Sequence, residues 1–243
     1  MRIELVGGLG IGKSTLCNAL EDVGFNCIYE NLNTNPFLAD CFREPEKFRF
    51  PSQMWFVLSK YHEIQKHEIA GRVNVLDQSV LNVCAYTNML FGESDPYAMH
   101  IINQCFHYME QQTGMPDLLI NLQCSPQEQM RRIRGRNREH EKGVTLDYIT
   151  NLQTEINILV NQARTNGYRI LNIDTESVFL PGNVSYARRL AREIAEMFNI
   201  DMGEYRPAPQ QQLDVPPVVT YAANEAINEN INEIMNRQAM AAE

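Results

Sequence analysis

"RIELVGGLGIGKSTLCNALE", residues 2–21, is the stretch whose reading decides the fold. It opens with a short, largely apolar run that reads as a strand and closes with a helical pattern. Between the two, "GGLGIGKST" (7–15) satisfies G-x-x-x-x-G-K-[ST] with Gly7, Gly12, Lys13 and Ser14. Glycines let backbone N–H groups turn inward around phosphate oxygens, and the following helix N-terminus adds its positive dipole end. Gly8, Gly10 and Thr15 belong to the same loop. Lys13 is expected to reach the β- and γ-phosphates of ATP, and the Ser14 hydroxyl to ligate Mg²⁺. A strand before the pattern and a helix after it are the context this motif requires.

Outward from the loop, short apolar segments alternate with helix-length ones. Strands are expected at residues 2–6, 25–29, 73–77, 117–123 and 168–173. Most are nearly continuous apolar runs, as strands covered on both faces should be. Helical patterns occupy 14–23, 50–71, 79–112, 125–165 (interrupted) and 183–198. This alternation predicts an α/β domain of the P-loop NTPase/kinase type, a five-stranded parallel sheet flanked by helices. The domain is expected over residues 1–200. A Pro/Gln-rich linker follows over 201–220, and a helical tail over 221–243 carries Ile227, Ile231 and Ile234 at helical spacing.

Bulk composition narrows the class. The chain of 243 residues has a formal net charge of −9, which supplies no global pull toward nucleic acid or anionic membrane. Its six cysteines show no C-x-x-C pair and no histidine at zinc spacing, so they read as reduced thiols. No charged-then-apolar leader and no apolar run of about 18 residues is present, and a cytoplasmic, soluble protein is expected.

Three further features bear on chemistry. "MRRIRGRNREHEKG" (130–143) is the one dense basic stretch in an acidic chain, with Arg132, Arg136 and Arg138 leading toward a glycine. Such an arginine-rich lid can neutralise charge on a transferring phosphoryl group and exclude water. Glu30 closes the second strand and Asp77 the third. In an open parallel sheet that edge binds ligands, so one carboxylate suits proton abstraction from a hydroxyl acceptor and the other the Mg²⁺ shell. A helix N-cap is the competing structural role for either acid.

Taken together, "NPFL", "PEKFRFPSQMWFVLSKY", "LDQS" and "PDLLINLQCSPQEQMRRIRGRNREHEKGVTLDYITNLQ" resemble the deoxynucleoside kinase family, particularly its bacterial deoxyadenosine/deoxyguanosine kinase branch. The resemblance covers about residues 1 to 198. It implies that Glu30 is the general base for the 5′-hydroxyl and that Gln53 reads the base edge through its amide. It likewise implies that Glu141 binds the sugar 3′-hydroxyl, that Arg132, Arg136 and Arg138 are the lid arginines, and that Asp77 is the acid near Mg²⁺. "NIDTES" (172–177), with Asp174, falls where the family wraps the donor adenine.

Four departures fall on the acceptor side. The family triplet Asp/Glu-Arg-Ser is Asp77-Gln78-Ser79 here. Loss of that fixed cation should cost transition-state stabilisation on the order of 2–4 kcal/mol. Phe42 stands where a tyrosine usually bonds the 3′-hydroxyl, "YENLN" (29–33) lacks the usual proline after the glutamate, and Val83 replaces an acid that selects the base in several members. The expected activity is ATP-dependent 5′-phosphorylation of a purine or modified deoxynucleoside, with the donor-side residues intact. Two other readings stay open: a P-loop kinase acting on a modified nucleotide or a modified base in DNA, and a non-catalytic kinase-fold scaffold. Homodimerisation through the helices of 50–71 and 79–112 is the expected assembly, and a nucleic-acid partner is not expected.

Overall fold

Five parallel strands lie side by side in the order β2-β3-β1-β4-β5: β1 Arg2–Val6, β2 Asn26–Ile28, β3 Asn74–Leu76, β4 Leu118–Gln123 and β5 Ile170–Asp174. The computed structural model describes residues 1–30, 32–136, 141, 143–178, 180–181 and 183–201. The linker from 202 onward and the tail expected over 221–243 lie outside the described residues, as do Arg138 and the side chain of Phe42. Every residue of β1, β2 and β3 is buried. That is why these segments read as continuous apolar runs.

Alternate residues of each strand feed two packed layers. On one face Ile3, Leu5, Leu118 and Ile120 pack with Leu16 and Leu20 of α1 (Lys13–Glu21) and with Leu190 and Ile194 of α8 (Val184–Phe198). On the other, Val6 and Leu119 meet Ala85 of α4 (Val80–Phe91) and Leu152 and Ile156 of α7 (Leu146–Thr165). Each such buried Leu or Ile side chain contributes roughly 1.5–3 kcal/mol. No helix among the described residues is long and apolar enough to cross a membrane. All six cysteines are free thiols.

The helices differ from expectation at their ends. The pattern over 79–112 is two helices, α4 and α5 (Pro96–Thr113). Asp95 accepts from the Ala98 N–H at 2.9 Å and Pro96 occupies the first turn, which together start a new helix. The pattern over 50–71 begins five residues early, as α3 (Pro45–His67), with Pro45 opening the first turn and Pro51 enclosed in the helix. A short α2 (Leu38–Arg43) was not expected, and α6 (Pro126–Arg136) carries the basic stretch up to Arg136.

The topology delivers the loop after β1, Glu30 after β2 and Asp77 after β3 to one carboxyl edge. Asp77 does not cap α4. Fully buried Ser79 does so, accepting from the Asn82 N–H at 3.0 Å. Ser79→Ala is therefore expected to lower unfolding stability by about 1 kcal/mol. The check is a urea titration, with the midpoint falling and the slope unchanged.

Candidate active site

The phosphate loop is held open by its own backbone and by two residues from elsewhere. Gly10 and Gly12 sit in the left-handed region at φ 71° and 110°. A Cβ on Gly10 would stand 2.9 Å from the Gln129 carbonyl oxygen, so the position admits no side chain. Asn82, 1% exposed on α4, grips the first glycine: it accepts from the Gly7 N–H at 3.1 Å and donates to the Gly7 carbonyl at 2.9 Å. Gln129 of α6 is fully buried under Gly8. The Lys13 ammonium folds onto the loop, donating to the Gly7 and Gly8 carbonyls at 2.8 and 2.9 Å. Burial lowers its pKa, and the carboxylates of Asp77 and Glu30 oppose that shift.

Beside the loop, the Ser14 hydroxyl donates to Asp77 Oδ2 at 2.8 Å. Asp77 is 8% exposed, and its Oδ1 is buried without a hydrogen-bond partner among the described residues. An unpaired buried carboxylate oxygen next to a hydroxyl is a donor pair that would suit a hard cation such as Mg²⁺. The described residues include no cluster of three or more His, Cys, Asp or Glu that could hold a metal by themselves.

The acceptor side is arranged around Glu30. Register pairs Ile28 with Leu76, and Glu30 and Gln78 each lie two residues past that last pair of adjacent strands. Burial raises the Glu30 pKa; Lys60 is the strongest opposing charge, Glu63 pushes it further up, and Lys13 pulls it down. Gln78 makes no hydrogen bond with the described residues. Gln53, 4% exposed on α3, donates from Nε2 to the Val83 carbonyl at 3.1 Å and to Thr87 Oγ1 at 2.9 Å. Those bonds fix its amide plane. Val83 itself is part of an apolar cluster with Val57 and Phe91. Phe42 lies in α2.

The lid residues are divided. Arg136 makes a two-pronged pair with Glu141, at 2.8 and 2.6 Å, and Glu141 is 7% exposed. The two groups assigned separately to phosphate and sugar thus bind each other. Arg132 is committed to the donor side: Glu128 at 2.8 Å, the Ile11 carbonyl at 3.2 Å, and Thr175 Oγ1 and carbonyl at 3.0 and 2.8 Å. It staples the phosphate loop to the turn after β5. Asp174 begins that turn, exposed, accepting from the Glu176 N–H at 2.9 Å, a bond that lowers its pKa. The position of Arg138 falls outside the described residues.

Sequence reasoning passed over Asn82, Gln129, Lys60 and Tyr86. Tyr86 of α4 lies within electrostatic reach of Glu30, Glu141 and Arg136, and burial drives its pKa well up. Each is one polar residue inside an otherwise helical pattern, and nothing local marks it. The absence of Asn82 from that reading is the most consequential, because its partner is 75 residues away.

A parallel sheet in this order, with a glycine loop, lysine and serine at its carboxyl edge, defines a P-loop phosphotransferase fold. The chain belongs to the deoxynucleoside kinase family, whose model, described as "Deoxynucleoside kinase", matches residues 3–199. A deoxyadenosine kinase of Dictyostelium discoideum is 31% identical over 153 residues, covering 62% of this chain and 62% of that protein. A deoxyguanosine kinase of Bacillus subtilis (strain 168) is 24% identical over 204 residues, covering 80% of this chain and 96% of that one. Among solved structures, the deoxyadenosine kinase from M. mycoides with bound dATP has a TM-score of 0.65 at 17% identity, covering 81% of this chain and 100% of its own.

Asn82→Ala removes both bonds to Gly7 and leaves a buried N–H and C=O unpaired. A stability loss of about 2 kcal/mol and roughly tenfold weaker ATP binding are expected. Calorimetric titration with ATP checks this, and an unchanged Kd would count against the clamp.

Proposed function

We propose that the protein transfers the γ-phosphoryl group of ATP to the 5′-hydroxyl of a deoxynucleoside, a purine or modified one. The observation that carries this reading is the convergence of Lys13, the Ser14–Asp77 pair and the half-buried carboxylate of Glu30 on one sheet edge. Lys13 leaves its loop carbonyls for the β- and γ-phosphates, while loop N–H groups hold the phosphate oxygens. Ser14 and Asp77 would hold Mg²⁺, which would supply charge neutralisation for the triphosphate. Glu30 accepts the hydroxyl proton as the phosphoryl group departs. Because burial raises its pKa, turnover increases as pH rises through that value.

Gln53, with its amide plane fixed by Val83 and Thr87, meets the base edge. Glu141 exchanges its pairing with Arg136 for the 3′-hydroxyl, which releases Arg136 toward phosphate together with Arg132 and Arg138. Asp174 and the turn after β5 border the adenine of the donor. Phe42 and Gln78 complete the acceptor wall. In the same reading the protein is a cytoplasmic homodimer serving nucleotide salvage. Leu58 and Tyr108, 61% and 62% exposed on α3 and α5, offer apolar surface for such a contact.

The experiment is a coupled ADP-release assay across common and modified deoxynucleosides. Lys13→Ala and Glu30→Gln are each expected to lower turnover by about 100-fold or more, with Glu30→Gln keeping ATP affinity. If no acceptor raises ADP release above the Lys13→Ala background, the proposal fails. Transfer of label to a modified DNA duplex instead of a free nucleoside would redirect it to the nucleic-acid reading.

A further inference from the structure

Helix α3 runs antiparallel to β2, and successive contacts set their register. Near the strand's start, Asn26 Nδ2 donates to the His67 carbonyl at 2.8 Å. Midway, Ile28 packs against Ile64. The next step is two residues along the strand, about 6–7 Å, and four residues back along the helix, about 6 Å. Those steps lead to Glu30 and Lys60. Lys60 is thus level with Glu30, on the same buried stripe of α3 as Gln53, Val57 and Ile64.

Lys60 is an unusual occupant of that stripe. It is 2% exposed, and its ammonium donates to Glu63 Oε2 at 2.7 Å. A buried lysine is costly unless its charge is matched, so one partner carboxylate is expected. Here two lie within reach, Glu63 on its own helix and Glu30 across the strand end. The charged and titratable groups acting on Glu30 are Lys60 and Glu63 of α3, Lys13 of α1, Asp77 after β3, and Tyr86 of α4. Of the two cations, Lys13 already serves the phosphate loop. Position 78, two residues past the end of β3, carries an uncharged amide.

We propose that Lys60 is the positioning residue that keeps Glu30 ionised for proton abstraction, and that Glu63 sets how much of the Lys60 charge Glu30 receives. The inference rests on Glu30 being the general base of the proposed kinase. The fixed positive charge of the acceptor side then comes from the middle of α3, not from the residue after Asp77. Lys60 touches no reacting atom; it acts through Glu30.

Opposite shifts from the two members of one ion pair test this. In ¹³C-carboxyl NMR titrations of the full chain without ligands, with Glu30 assigned by its loss in Glu30→Gln, Lys60→Met should raise the Glu30 midpoint by about one unit or more. Glu63→Gln should lower it, and Lys60→Arg should leave it near wild type. A midpoint unchanged in Lys60→Met overturns the proposal. If Lys60→Met does not fold, Glu63→Gln decides, and an unchanged midpoint there overturns it equally. In turnover, the acid limb of kcat/KM should move with the midpoint, and kcat of Lys60→Met at neutral pH should fall about tenfold with ATP Kd unchanged. Failure of the kinase reading is separable: wild type would phosphorylate no nucleoside while the carboxyl titrations still report on Lys60.

Discussion

The hydrogen bond from Ser14 to Asp77 joins the first turn of α1 to the end of β3, and the arrangement of the site depends on it. A hydrogen bond to a charged group contributes roughly 1.5–3 kcal/mol, but its larger consequence is geometric. It fixes the distance between the phosphate loop and the neighbouring strand, and so the width of the cleft in which Glu30 also stands. It occupies one oxygen of Asp77 and leaves the other buried and unpaired. Such an atom is tolerated where a cation completes it, since an uncompensated buried carboxylate oxygen is expensive.

Burial of charge is the second constraint. Both sheet faces are filled by helices, so carboxylates placed at strand ends are only partly solvated. Each then needs a cation or a donor. Asp77 has Ser14; away from the strand ends, the buried Glu141 beyond α6 has Arg136. Glu30 has no hydrogen-bond or ion-pair partner among the described residues, and burial raises its pKa. A carboxylate whose pKa is raised by burial is a stronger proton acceptor than a solvated one, which suits a general base.

Legibility in the sequence followed the range of the interactions. The phosphate loop is nine consecutive residues whose pattern is nearly self-sufficient, and the strands are apolar runs made so by burial on both faces. The resemblance carried Gln53 and Glu141, residues that no local pattern marks. Helix ends were less clear, because the break at Asp95–Pro96 is a capping event inside a continuous helical periodicity. Asn82 and Lys60 were invisible for a different reason. Each sits on a helix face otherwise apolar, and its meaning comes from a backbone or carboxylate brought near only by the fold.

The departures at 78 and 83 can be weighed against the structure that surrounds them. Val83 belongs to a filled apolar cluster, and its carbonyl orients Gln53. An acid there would be buried among Val57 and Phe91 and would compete for the Gln53 amide. The apolar residue therefore suits the local packing. Gln78 differs, being partly exposed and without a hydrogen bond to the described residues. A cation at that position would add a second positive charge near the strand-end carboxylates, beyond that of Lys60. A second cation near a half-buried carboxylate lowers its pKa and weakens it as a base, so an uncharged residue at 78 and a buried lysine at 60 are mutually consistent.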